Sequence, residues 1–94
     1  MTRKIGIAWY RKEQWSRLRE ISTDKSNLEF TFEEWLANAE KMLVDLRAEG
    51  LDACKYEVDV EKLLEWCRAK KTQVNGSTRS QYVTEKLSLD DRVN

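Results

Sequence analysis

Only two short segments of this 94-residue chain alternate like β-strands, which limits the chain to a very small sheet. In the first segment, residues 3–10, the two phases of the alternation are Ile5, Ile7 and Trp9 on one side and Gly6, Ala8 and Tyr10 on the other. Such alternation is typical of a strand. The small residues of the second phase would let a helix or another strand approach closely.

The second strand segment begins near residue 54. Its apolar residues alternate with charged ones, namely Cys54, Tyr56, Val58 and Val60 with Lys55, Glu57 and Asp59. This pattern predicts one buried and one solvated face, and we expect the strand to pair with the first. Because two strands alone leave exposed edges, we also expect a homodimer in which edge strands pair across a two-fold axis.

The clearest helix begins at Thr31. Thr31 and Glu34 have the spacing of a capping box, in which side chains satisfy unpaired backbone amides at the helix start. Phe30 and Trp35 have the spacing of a hydrophobic staple. The apolar stripe of this helix consists of Trp35, Ala39, Met42, Leu43 and Leu46. Gly50 then stands where a left-handed cap ends a helix.

Apolar spacing and capping residues predict three further helices. They begin after Arg11, at the capping residue Asp59, and at Ser77 or Thr78 behind an Asn75-Gly76 turn. The resulting order is strand-helix-helix-strand-helix-helix. We therefore expect a single α+β domain over residues 1–94, with a small two-stranded sheet packed against about four helices.

The composition is typical of a globular protein, with 40% hydrophobic and 36% charged residues. The longest nearly uncharged apolar stretch, residues 5–10, is far shorter than the roughly 20 residues of a membrane-spanning helix. It is also too short for the core of a signal peptide. We therefore expect a soluble, cytoplasmic protein that does not bind a membrane.

The chain lacks the residues that most catalytic and metal sites use. It has no histidine and two cysteines, Cys54 and Cys67, so an ordinary four-ligand zinc site cannot form within one chain. We interpret the cysteines as small buried hydrophobes. Its three glycines are far apart in sequence, which excludes a known phosphate-binding loop. We expect no enzyme activity, cofactor or metal; an enzyme of unknown chemistry ranks last among the hypotheses.

The most distinctive segment combines aromatic and basic residues. Its candidate binding residues are Trp9, Tyr10, Arg11, Gln14, Trp15 and Arg19. Rings interleaved with arginines can anchor a protein interface or stack on bases. The alternative is that Trp9 and Trp15 fill a small core while the arginines solvate a helix face. Use as an interface predicts that Trp9, Tyr10 or Trp15 is exposed in the isolated chain.

The net charge of zero conceals a segregated pattern. Residues 1–20 carry +4, residues 21–61 carry −7 and the remainder carries +3. The zero net charge argues against a protein dedicated to binding polyanions, and the segregated charges permit attraction between copies of the chain. A nucleic-acid-associated accessory role is the alternative function, and it requires convergence of Arg11, Lys12, Arg17, Arg19, Arg68, Lys70 and Lys71.

Three stretches carry a resemblance to known proteins. They are Ile5-Gly6-Ile7-Ala8-Trp9-Tyr10-Arg11 with Gln14-Trp15 and Leu18, Glu34-Trp35-Leu36 with Ala39-Glu40-Lys41, and Leu64-Glu65-Trp66-Cys67. With them, most of the chain resembles a group of short, uncharacterised bacterial proteins. The resemblance implies a bacterial cytoplasmic protein, and it implies no activity and no site residue. The residues themselves favour a small, self-associating protein-interaction module.

Overall fold

Residues 4–93, which the structure describes, form one two-stranded sheet and four α-helices in a computed structural model of the chain. Side chains are described for residues 4–89. The elements are β1 (Lys4–Trp9), α1 (Trp15–Ile21), α2 (Phe32–Ala48), β2 (Asp52–Glu57), α3 (Val60–Ala69) and α4 (Gly76–Val93), with 3-10 turns at Lys12–Gln14 and Lys25–Asn27. The predicted α+β fold and element order are confirmed. Arg3, the predicted start of the first strand, lies outside the described residues.

The two strands run parallel, from Lys4 opposite Asp52 to Trp9 opposite Glu57. Parallel strands need a crossover connection of a dozen or more residues, and α1 and α2 lie within that connection. Beyond the last pair, the Val58 N–H donates to the Trp9 carbonyl at 3.0 Å. The predicted pairing of the two strands is confirmed.

Different helices cover the two faces of the sheet. On one face, Leu43 of α2 forms a small buried cluster with Ile7 and Ala53. On the other face, α4 comes so close to β1 that a Cβ added at Gly6 would lie 2.7 Å from Val83 Cγ1. The small-residue phase of β1 therefore admits a helix, as the sequence predicts.

The solvated face predicted for the second strand segment is confirmed, since Lys55, Glu57 and Asp59 are all exposed. On the other phase Val58 is buried, whereas Cys54 and Tyr56 are half-buried. The strand itself begins earlier than predicted, at Asp52. Ala53, which the predicted segment did not include, is buried because Leu43 of α2 covers it.

The main core cluster joins residues from all four helices. Its most deeply buried side chains are Leu18, Val60, Leu63, Cys67 and Val83. Cys67 therefore packs as a small buried hydrophobe, as interpreted from the sequence, whereas Cys54 is half-buried. Both thiols are free.

The Thr31 and Gly50 caps predicted for α2 are confirmed, except that the Glu34 side chain accepts from the Thr31 hydroxyl and not from its backbone N–H. Thr31 Oγ1 accepts a hydrogen bond from the Glu34 N–H at 3.1 Å. At the other end Gly50 adopts a φ of 84°, and the Leu51 N–H donates to the Leu46 carbonyl at 3.1 Å. This left-handed turn satisfies carbonyls that would otherwise be unpaired at the helix end.

The predicted hydrophobic staple between Phe30 and Trp35 is wrong. Phe30 is 74% exposed, and the Arg19 guanidinium lies 4.8 Å from the centre of its ring. Phe32 packs on Trp35 instead, with ring centroids 5.5 Å apart. The cause is tertiary, because the Trp35 ring lies among aromatic residues from β1 and α1.

The third and fourth helices are also capped by side chains. Asp59 caps α3 as predicted, with Oδ1 accepting from the Glu61 N–H at 3.0 Å. The start predicted for α4 is late by one or two residues, since α4 begins at Gly76. Asn75 is its cap: Asn75 Oδ1 accepts from the Thr78 N–H at 3.1 Å, and Thr78 Oγ1 accepts from the Asn75 N–H at 2.9 Å.

Lys71, just after α3, has a φ of 56°, a conformation that costs a residue with a side chain about 1–2 kcal/mol. Lys71→Gly should therefore raise the free energy of unfolding by about 0.5–1 kcal/mol, after allowance for the added entropy of the unfolded chain. Urea denaturation measures the change. The matched control is Gly50→Ala, which meets no atom within 4 Å and should lower the free energy by about 1 kcal/mol through backbone strain alone. A Lys71→Gly variant no more stable than the parent would contradict the expected strain.

Gly6→Ala should lower the free energy of unfolding by about 1–3 kcal/mol, because the new methyl group overpacks the contact between β1 and α4. It would lie 2.7 Å from Val83 Cγ1 and 3.2 Å from Leu87 Cδ2. Thermal unfolding followed by circular dichroism gives the loss. The double variant Gly6→Ala, Val83→Ala removes the clashing methyl and should lose less than the two single variants together. Strictly additive losses would mean that α4 does not approach β1 this closely.

Candidate functional site

The aromatic part of the candidate segment lies in the core. Tyr10 and Trp15 are 5% and 4% exposed, and their ring centroids lie 5.3 and 5.4 Å from that of Trp35. Trp9 is half-buried; its ring lies 5.3 Å from Trp35 and has Lys55 Nζ 4.5 Å from its centre. The prediction that these rings offer an open face is therefore wrong for Tyr10 and Trp15, because α2 brings Trp35 onto them.

Trp9, Arg11 and Gln14 meet in a hollow of about 170 Å³ at the carboxyl ends of the two strands. Ligands of open α/β sheets bind outside such ends. In this hollow Arg11 pairs with Glu57 at 3.5 Å, and Asp59 is engaged as the cap of α3. The buried Gln14 Oε1 has no hydrogen-bond partner among the described residues. The hollow is small, and its three charged side chains are already engaged, so it does not favour a charged ligand.

Besides Arg11, three of the seven basic residues that a nucleic-acid role requires are paired with separate acids. The pairs are Lys12 with Glu33 at 3.1 Å, Arg17 with Glu61 at 2.8 Å and Lys70 with Glu85 at 3.6 Å. Hydrogen bonds from Lys12 and Arg17 lower the pKa of the Glu33 and Glu61 carboxyls. Exposed pairs of this kind stabilise the fold little, but they weaken the positive field that attracts a polyanion.

The outer edge of β1 is the edge that faces away from β2, and it is unpaired among the described residues. The Trp9 carbonyl points toward β2, where it accepts from the Val58 N–H. Because the backbone groups of successive strand residues point to alternate sides, Gly6 and Ala8 direct their N–H and C=O groups away from β2. No other described element donates to or accepts from these groups. A row of unpaired backbone N–H and C=O groups is a template for pairing with another strand.

We call the space along this edge the β1 groove. One part, about 320 Å³, runs beside Gly6, Ile7 and Ala8 between α2 and α4. A second part, about 410 Å³, continues beside Lys4 and Ile5 along α4. No β2 residue lines either part of the groove as described. The groove therefore gives access to β1 over nearly its whole length.

The two edges of the sheet are not equivalent. At the outer edge of β2, Arg47 Nε of α2 donates to the Ala53 carbonyl at 3.1 Å, so that edge is partly covered. Natural edge strands are usually protected by charged residues, proline or a bulge. Residues 5–9 of β1 include no charged residue and no proline. The outer edge of β1 is therefore the less protected one.

A mostly buried ion pair holds one wall of the β1 groove. Arg79 donates to both carboxylate oxygens of Asp24 at 2.9 Å, and the two side chains are 12% and 18% exposed. Asp24 also accepts from the Gly76 N–H at 3.0 Å, and Arg79 also donates to Ser22 Oγ at 3.2 Å. The Arg79 hydrogen bonds hold the pKa of Asp24 below its usual value, and burial raises the pKa of neighbouring Tyr10 to about 12. The pair ties residues 22–24 to the start of α4.

Arg19 lies in a separate place, which we call the Trp15 hollow. This hollow of about 330 Å³ is lined by Trp15, Arg19, Lys25 and Phe30, among others. The six candidate residues are thus divided between the core, the hollow at the strand ends and the Trp15 hollow. They do not form one site.

Sequence reasoning missed the Asp24–Arg79 pair and the unpaired edge groups. The two ion-pair residues are 55 positions apart, so no local pattern links them. The direction of backbone groups at an edge leaves no trace in the side-chain pattern. The available signal was the small residues on one face of β1. They indicate that a helix or strand packs closely against β1, but they do not indicate which edge of the sheet stays unpaired.

Comparison with models of protein families, with curated proteins and with solved structures finds no match to this chain. The resemblance seen in the sequence therefore stays a prediction. Among the described helices, none combines the length and apolar character that crossing a membrane requires. No described group of three or more Cys, Asp or Glu residues is placed to hold a metal ion.

Asp24→Asn should lower the free energy of unfolding by about 1–3 kcal/mol at pH 7, because Arg79 loses its charged acceptor. The pKa of Asp24 is lower in the folded than in the unfolded chain, so its contribution is present above about pH 4 and is lost as the pH falls through the folded-state pKa. The difference between parent and variant should therefore shrink toward pH 3 in urea denaturation. Glu33→Gln, which removes an exposed pair with Lys12, is the control and should change stability little. Equal losses at pH 7 would contradict an anchoring role for Asp24.

Proposed function

We propose that this chain is a small, non-enzymatic interaction module that associates with a second copy of itself through the outer edge of β1. The observation that carries the proposal is the row of uncovered backbone groups at Gly6 and Ala8 within the β1 groove. Alternating N–H and C=O groups are satisfied by an extended segment that adds to the sheet. A partner strand would gain main-chain hydrogen bonds along β1.

A second β1 is complementary to the first when the two strands run antiparallel about a two-fold axis at Ile7. Gly6 of one copy then lies opposite Ala8 of the other, and their outward groups form hydrogen-bonded pairs. Ile7 meets Ile7, and Ile5 meets Trp9, on the face covered by α2. These cross-strand pairs are apolar, and no like charges meet between residues 5 and 9.

The shape of α4 is compatible with this pairing. Beside the β1 groove α4 presents Ser80, Thr84 and Ser88, one helical turn apart. Small side chains let the α4 helices of two copies approach each other as their β1 strands pair. The product is a four-stranded sheet, which is more stable than two strands alone.

The chemistry of the described side chains supports a role in binding rather than catalysis. Arg11 is paired with Glu57, the carboxylate of Asp24 is held by Arg79, and Cys67 is buried. The two free thiols are compatible with the reducing bacterial cytoplasm that we propose as its location. A nucleic-acid-associated role has less support, because four of the seven basic residues that it requires are paired with separate acids.

Light scattering at micromolar concentration should give about twice the chain mass of 11.2 kDa. The value should not change between low and moderate salt, because the contacts are main-chain and apolar. Ala8→Pro removes an outward N–H from β1 without removing a bond to β2, and it should give a monomer.

The matched control for Ala8→Pro is Lys55→Pro. It removes an outward N–H from the other edge of the sheet and should leave the dimer intact. Thermal unfolding shows whether each variant is folded. A monomeric parent chain, or equal loss of the dimer in the two folded proline variants, would overturn the proposal.

A further inference from the structure

Two buried N–H donors on α1 have no acceptor among the described residues. They are Nε1 of Trp15, a residue only 4% exposed, and Nε of Arg19. Both side chains line the Trp15 hollow. Residues 15 and 19 are four positions apart on a helix, so the two side chains project from the same face of α1.

The charges around the Trp15 hollow favour an anion. Arg19 and Lys25 are basic, and Glu20, the acidic residue among the lining side chains, is engaged by Arg17 in a salt bridge. Phe30 adds an apolar surface, since its ring is 74% exposed. A complementary ligand combines a negatively charged oxygen acceptor with an apolar group.

We propose that the Trp15 hollow binds an aliphatic carboxylate, of the kind found at the C-terminus of a peptide that ends in leucine. The carboxylate accepts hydrogen bonds from Trp15 Nε1 and Arg19 Nε, and the aliphatic group lies against Phe30. This site is separate from the β1 groove and does not depend on self-association.

Both donors are covered in the free chain. In the proposed complex the Arg19 side chain leaves the ring of Phe30 and opens the way to both donors. The Arg19 guanidinium lies 4.8 Å from the centre of that ring. A cation–π contact at an exposed site is weaker than the penalty for two buried donors without acceptors. The exchange of one contact for two charge-assisted hydrogen bonds therefore favours binding.

The test is an NMR titration of the ¹⁵N-labelled full chain with N-acetyl-leucine, followed through the indole N–H signals of the four tryptophans. The Trp15 signal should shift and saturate, because its N–H gains an acceptor. Trp66 is the internal control: its Nε1 is also buried and unpartnered, but it lies outside the Trp15 hollow, and its signal should not move. The neutral N-acetyl-leucinamide should cause no saturable shift.

Two variants test the assigned contacts. Arg19→Lys keeps the positive charge and lacks the Nε donor, and it should weaken binding of N-acetyl-leucine about tenfold. Phe30→Ala removes an exposed ring, so it should leave the fold intact and weaken binding several-fold. Dispersed backbone signals show that each variant is folded.

A further arm with 4-methylpentanoate distinguishes a peptide C-terminus from a free acid. Equal affinity would assign the site to aliphatic acids in general, whereas tighter binding of N-acetyl-leucine would assign it to peptide C-termini. The proposal is overturned by a Trp15 signal that does not shift, by an equal response to the amide, or by unchanged affinity in folded Arg19→Lys.

Discussion

The parallel pairing of β1 with β2 is the constraint on which the other features of this fold depend. Parallel strands require a crossover, and α2 within that crossover brings Trp35 against Tyr10 and Trp15. A sheet of two strands also has two outer edges, and Arg47 partly covers only that of β2. The aromatic core and the proposed partner surface on β1 are therefore two consequences of the same pairing.

α4 completes the fold through two contacts of different kinds. Gly6 lets Val83 come closer to β1 than any other residue at that position would allow. Asp24 and Arg79 then fix the start of α4 through a bidentate ion pair, which adds geometric specificity as well as energy. Because both contacts hold the wall of the β1 groove in place, less conformational freedom would be lost when a partner strand binds there.

Local elements were predictable because their signals are local. Thr31, Gly50 and Asp59 cap helices through atoms that lie within a few residues along the chain. The predicted surroundings of single residues were less accurate. Phe30 lies beside Arg19 of α1 rather than on Trp35, and the ring of Tyr10 is buried rather than exposed. In each case an element outside the local pattern supplies or withholds the contact.

By itself the sequence determined an α+β chain of two strands and four helices. It also determined that one face of β1 carries side chains small enough for a helix to pack closely against it. It also excluded an ordinary zinc site within one chain, since the chain has no histidine and two cysteines. Only the tertiary structure decided which rings are buried, which charges are paired and which sheet edge is open. The physical reason is how far apart along the chain the interacting residues lie. Caps and alternation depend on neighbours along the chain, whereas burial and edge exposure depend on contacts such as that between Asp24 and Arg79, 55 positions apart, which no local pattern encodes.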